Sequence, residues 1–191
     1  MDAIEALTTR ASPAALMAPA PDAATLERML GAAMRAPDHG RLRPWRFIVI
    51  DGRAREAFGD VLAGALLRRE PAAGEPMLAK ERAKPLRAPL IVAVAASLRE
   101  HRSVPAIEQI VAAGAAAENI LVAAHALGFG AFWRTGAPAY DDTVKRALGL
   151  KAEDAIVGFL YIGTPAAPLP PTPPANLAPH LTYWQRPIDP A

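Results

Sequence analysis

The chain is predicted to fold as an α+β, three-layer sandwich, and three features of its patterning predict this. Helical and strand-like stretches follow one another as two helices, strand, helices, strand, long helix, strand, helix, strand, which is not a regular βαβ alternation. The runs Leu90–Ala96 and Ile156–Gly163 are strongly apolar, as strands of a buried sheet are. The stretch from Pro105 to Leu127 reads as one long helix rich in small residues, which suits the centre of a protein or of a dimer.

The elements follow in order. Residues 2–9 form a short helix with Ile4 and Leu7 on one side, and Ser12, Pro13, Pro19 and Pro21 mark a loop. Asp22 is an N-cap for a helix through Met34, with Leu26, Met29, Leu30 and Ala33 at core spacing, and Pro37 stops it. Arg46–Asp51 is a β-branched and aromatic strand, Arg53–Arg69 an amphipathic helix, and Met77–Lys84 a further helix after a Pro/Gly loop. Gly128 ends the long helix, Gly130–Thr135 is a short strand, and Tyr140–Leu148 is a helix capped by the Asp141/Asp142 pair. From Pro165 onwards closely spaced prolines exclude helix and central strand, leaving an extended tail that is either a disordered end or an arm on a partner subunit. The division is therefore a domain over residues 1–165 and a proline-rich arm over 166–191.

Composition narrows the function. With 191 residues, 52% hydrophobic and 21% charged, the chain reads as one globular domain, and much of its apolar content is alanine, which makes a thin core that a second subunit would help to bury. A net charge of +2 without long basic runs argues against a nucleic-acid binder. The absence of cysteine excludes disulfides, thiolate metal sites and a catalytic thiol from this sequence, and His101, His125 and His180 are far apart and lack metal-ligand spacing. The first residues do not read as a signal peptide and no long uninterrupted apolar span occurs, so the expectation is a cytoplasmic protein without a membrane segment.

Four clusters carry candidate chemistry. Arg10, Ala11 and Ser12 follow the first helix and offer a forked cation beside a hydroxyl, which suits a phosphate. Arg35 through Gly40, followed by Pro44 and Trp45, present polar groups on a rigid turn, while Trp45 and Phe47 read as core. Gly128–Gly136 lacks the last glycine of a dinucleotide fingerprint and follows a helix, so that reading is rejected. Within it Arg134, between Trp133 and Thr135 at the end of a strand, offers a cation to an anionic or flat ligand. Ile156–Gly163 is a core strand.

Taken in order and spacing, Met34–His39, Pro44–Trp45, Arg87–Ile91, Gly128–Gly130, Trp133–Arg134, Gly136–Ala137 and Ile156–Tyr161 resemble the nitroreductase family of FMN enzymes, above all its short, minimal branch. The resemblance spans about residues 1–165. It implies a mixed sheet between helices, an intertwined homodimer and one FMN at each end of the interface. It places Arg10, Ala11 and Ser12 at the phosphate and ribityl end, Arg35 and His39 on the flavin with His39 from the opposite subunit, and Trp133, Arg134 and Thr135 along the cofactor. It assigns Ala123, Ala124, His125, Ala126, Leu127 and Gly128 to nicotinamide nucleotide binding. Ala11 stands where the family has a second arginine, and Arg41 and Arg43 stand where it has amides. The activity implied is hydride transfer from NADH or NADPH through FMN to a nitroaromatic, quinone or similar small acceptor, in ping-pong order, with no side-chain nucleophile. The alternatives are a flavin enzyme of the same fold with another task (flavin breakdown, dehalogenation, enoyl reduction) and a non-catalytic flavin- or partner-binding protein.

Overall fold

A computed structural model describes residues 1–169, 173 and 175–184. The helices are α1 (Ala3–Thr9), α2 (Ala23–Ala33), α3 (Ala54–Arg69), α4 (Glu75–Ala83), α5 (Ala106–Ala126) and α6 (Asp142–Ala147). The strands are β1 (Leu16–Met17), β2 (Trp45–Asp51), β3 (Leu90–Ala96), β4 (Gly130–Arg134) and β5 (Ala155–Pro165). Caps are set locally: the carboxylate of Asp22 accepts the Thr25 N–H at 2.8 Å, and Asp2 and Glu5 form a reciprocal capping box on α1. Proline begins the last turn before β3, and Pro105 precedes α5.

β5 is the central strand. It pairs with β3 on one side and with β4, β2 lies outside β3, and β1 pairs with the last two residues of β5. The resemblance implied a mixed sheet, but every pairing among the described residues is antiparallel. The reason is topological: β3 and β4 run in the same direction, yet β5 lies between them and opposes both. β1 had no local signal, because it exists only through its pairing of Leu16 with Pro165 and Met17 with Thr164.

The sheet is buried on both faces, as expected for β3, whose every residue is buried. Period-two alternation sends Leu90, Val92, Val94, Leu160 and Ile162 to the α2/α5 side. Ile91, Ala93, Ala95, Phe159 and Tyr161 face α3 and α6. Three layers result. By length and mean hydropathy, 1.3, α5 passes for a membrane span, but here it packs through Ala113, Ala116, Ala117 and Ile120 into the core. Its end is a Schellman motif: Gly128 takes φ +84°, its N–H bonds to His125 O at 3.0 Å, and Phe129 N–H reaches Ala124 O at 2.9 Å.

Of the proline-rich tail, Pro170–Thr172, Pro174 and residues 185–191 lie outside the described residues. Leu177, Leu181, Tyr183 and Trp184 are exposed.

Candidate functional site

The alternation of β4 decides which side chains meet a cavity. Ala131 and the Trp133 indole pack with the α2/α5 core, whereas Phe132 lies on the opposite face. On that face, between β4, β5, α3 and the end of α4, is a cavity of about 540 Å³ lined by Phe132, Arg134, Thr135, Tyr161, Glu81 and Lys84, among others. A smaller hollow of about 240 Å³, lined by Pro13–Leu16, shares with it Arg87, Phe132, Arg134 and Tyr161. The chain immediately after Ser12 thus forms the far wall of the space beside Arg134.

The charges in this space are unequal. The Arg134 guanidinium stands 4.3 Å from the centre of the Phe132 ring and 5.7 Å from that of Tyr161, so two aromatic faces hold it. Neither Arg134 nor Arg87 makes an ion pair among the described residues. Arg69 pairs with Asp141 at 2.5 Å, and Lys84 pairs with Glu81. The second oxygen of Glu81, Oε2, is buried with no hydrogen-bond partner. Burial pushes the Tyr161 phenol above its ordinary value, Arg134 and Arg87 work against the rise, and Glu81 adds to it. Tyr161 therefore faces the cavity as a protonated phenol. At the cavity's edge, burial works to raise the pKa of Asp141. The hydrogen bond from Arg69, those from the Thr143 and Val144 N–H groups, and the arginine's charge outweigh it and hold the carboxyl low.

The remaining sequence candidates fall elsewhere. Arg10, at the end of α1, pairs through Nε with Glu118 of α5 at 3.3 Å, and Thr9 Oγ1 lies 2.8 Å from His125 Nε2. Arg35 lines an apolar groove of about 450 Å³ between α1, α2 and α5, together with Glu118, Ala123 and Ala126. His39 pairs through Nδ1 with Glu108 at 2.5 Å, near the start of α5. Glu108 and Glu118 are about 15 Å apart along that helix, so one chain holds His39 and Arg10 at different places. Ser12 is exposed. The segment Ala123–Gly128 is accounted for by α5 and its cap: Ala124 is fully buried and Leu127 and Gly128 close the helix end.

The loop carrying His39 is tightly held. Asp38 Oδ2 accepts the Arg43 N–H at 2.6 Å, and Arg41 and Arg43 take φ of +53° and +47°, left-handed conformations that cost a residue with a Cβ about 1 kcal/mol each. Sequence reasoning did not single out Glu81 or Lys84, missed Phe132 as a cavity residue and read Tyr161 only as strand core. The available signal was spacing: Glu81, Lys84 and Arg87 recur every third residue where α4 passes into a 3₁₀ turn at Lys84–Arg87, which stacks such side chains on one side.

Known proteins resemble this chain in sequence and in fold. The model of the Nitroreductase family matches residues 7–164. YdjA of Escherichia coli K12, which carries a provisional NAD(P)H nitroreductase assignment, is 45% identical over 167 residues, covering 86% of this chain and 89% of the relative. A nitroreductase-like family protein from Bacillus cereus superposes with a TM-score of 0.82 at 21% identity, covering 97% of each chain. A provisionally assigned nitroreductase from Desulfovibrio desulfuricans, solved in complex with FMN, superposes with a TM-score of 0.73 at 25% identity, covering 96% of this chain and 97% of the other.

Proposed function

Because the chain belongs to the nitroreductase family, we propose that it is a homodimeric oxidoreductase that holds FMN in the cavity beside Arg134. The observation that carries this reading is Arg134 itself, a guanidinium stacked on Phe132, free of any carboxylate among the described residues, in a cavity of about 540 Å³. Pockets of roughly 300–1,000 Å³ suit ligands of cofactor size. The donor set also fits. Arg134 and Arg87 supply uncompensated positive charge for an anionic group, the aromatic rings supply flat apolar surface, and the orphaned Glu81 oxygen awaits a donor.

Bound FMN would supply the redox chemistry, accepting a hydride from NADH or NADPH at N5 and passing it to a nitroaromatic, quinone or similar small acceptor in ping-pong order, since both meet one ring. The residues of this chain bind and orient. Arg134 and Thr135 lie along the cofactor, with Trp133 fixing β4 behind them through its bond to Val157 O at 3.2 Å. Arg10 and Ser12, with the Ala11 backbone between them, serve the phosphate and ribityl end, the Arg10 fork being aimed by Glu118. Arg35 and His39 are contributed at the interface, His39 to the partner's cofactor, which accounts for its distance from Arg10.

The dimer reading rests on exposed apolar surface. Ile4 and Leu7 of α1, Met34, and Ile107 and Val111 of α5 are between 46% and 68% exposed. Such surface on one group of helices is suited to a second copy, and the exposed Tyr183 and Trp184 suit an arm lying on it. The activity is tested by following NADH and NADPH oxidation with and without a nitroaromatic or quinone. Acceptor-dependent oxidation with alternating-substrate kinetics supports the proposal. A flavin-loaded protein that reduces neither acceptor points to another task on the same fold.

A further inference from the structure

The cavity contains one feature that the family resemblance did not assign. Glu81 is a carboxylate only 12% exposed on its side chain, at the end of α4. Its Oε1 receives Lys84 Nζ, but Oε2 is buried and unpaired, a costly state for an ionised oxygen. Such an atom in a native structure calls for an explanation, and a ligand group that completes it is one. Two observations point at what that partner is. Glu81, Lys84 and Arg87 stack along one side of the α4 end and all line the cavity. Arg134 and Tyr161 line the same cavity as Glu81 and Arg87, so the four groups face one space. The wall thus offers an acceptor at Glu81 beside donors at Lys84 and Arg87.

The edge that matches this wall is a cyclic imide, an N–H donor between two carbonyl acceptors. An oxidised flavin has one such edge, on its pyrimidine ring, and N3–H is the only N–H that the ring carries. We propose that Glu81 is the acceptor for flavin N3–H, with Lys84 and Arg87 beside it as donors to the flanking carbonyls, so that the end of α4 reads the pyrimidine edge. The proposal rests on the flavin reading above. The terminal torsion of a glutamate is broad and two-fold, so either oxygen can be presented to the ring while Lys84 keeps the other.

The test compares FMN with N3-methyl-FMN, which lacks the donor, for binding to flavin-stripped protein by fluorescence quenching. A charged hydrogen bond contributes about 1.5–3 kcal/mol, so native protein should prefer FMN by roughly ten- to a hundredfold. Glu81→Ala should weaken FMN by a similar factor and leave the two flavins equal. Glu81→Gln keeps an acceptor oxygen and the side-chain shape, so it should fold as the native chain does and keep the preference for FMN. Native protein that binds both flavins equally overturns the assignment, as does a Glu81→Ala variant that still discriminates. A Glu81→Ala variant with native flavin binding but a raised KM for NADH also overturns it, because the carboxylate would then read the carboxamide of the donor. If native protein binds neither flavin, the flavin reading itself fails, an outcome distinct from all of these.

Discussion

The two sides of the sheet are built differently. On the α2/α5 side, Ala112, Ala113, Ala116, Ala117 and Ala124 are between 0% and 5% exposed and bring the helix backbone close to the strands. On the α3/α4/α6 side the contacts are made by larger residues, among them Phe58 and Phe159 with ring centres 5.6 Å apart, and the cavity opens beside them. Small side chains fill a layer and leave no ligand space within it, whereas aromatic props hold helices off a sheet and leave a hollow. The same division distributes function. In the function proposed above, the alanine-rich layer would turn its exposed apolar surface to a second copy, and the propped layer would face the cofactor with its charges.

The largest expected effect comes from breaking the outer surface of the first layer. Ile107→Glu together with Val111→Glu places charge on the exposed side of α5. It should weaken self-association by roughly two orders of magnitude or more, read by analytical ultracentrifugation. Unchanged mass across the concentration range would move the interface elsewhere.

Next comes the charge in the second layer. Arg134→Ala should reduce FMN affinity about ten- to a hundredfold in a fluorescence titration, while thermal stability changes little because the guanidinium has no partner to strand. Arg10→Ala should show a similar loss of affinity. An unchanged Kd in either variant removes that residue from the site.

A smaller effect sharpens the boundary between the layers. A Cβ on Gly158 would stand 2.1 Å from Trp133 Nε1, so Gly158→Ala must displace the indole and should cost about 1–3 kcal/mol in a denaturant melt. A neutral result would mean that β4 tolerates a shifted Trp133.

The smallest effect concerns the edge of the cavity. Asp141→Asn keeps the α6 cap but loses the charged bond to Arg69, and should cost about 1 kcal/mol at neutral pH. Because the folded carboxyl is held below its ordinary value, its contribution is present above the unfolded value of about 4 and is lost as pH falls through the folded one. The difference between native and variant melts should therefore begin to shrink below about pH 4 and vanish once the pH is below the folded value. A difference that persists there would assign the effect to the cap.

Much of this architecture was legible in the sequence because its causes are local. The Asp22 cap, the continuous burial of Leu90–Ala96 and the Gly128 stop each follow from residue type and period, and each is observed. Trp133, Arg134 and Thr135 were singled out together and all line the cavity, but alternation along β4 separates their tasks: the Trp133 indole is tied to β5, and Arg134 stacks across the opposite ring. What the sequence concealed depends on contacts distant in the chain. β1 is made by pairing with residues near 165, and Glu81 looks like any polar residue of a surface helix until β5 brings Tyr161 opposite it. The antiparallel sheet likewise follows from β5 entering between β3 and β4, which no local pattern announces.

The propped side of the sheet is the side proposed to hold FMN. The most direct measurement is the visible absorption spectrum of the purified protein, with release and identification of the chromophore and titration of stripped protein with FMN. The account predicts a flavin spectrum and one FMN per chain, lost in Arg134→Ala at concentrations where native protein is saturated. A colourless protein that takes up no added FMN would contradict it.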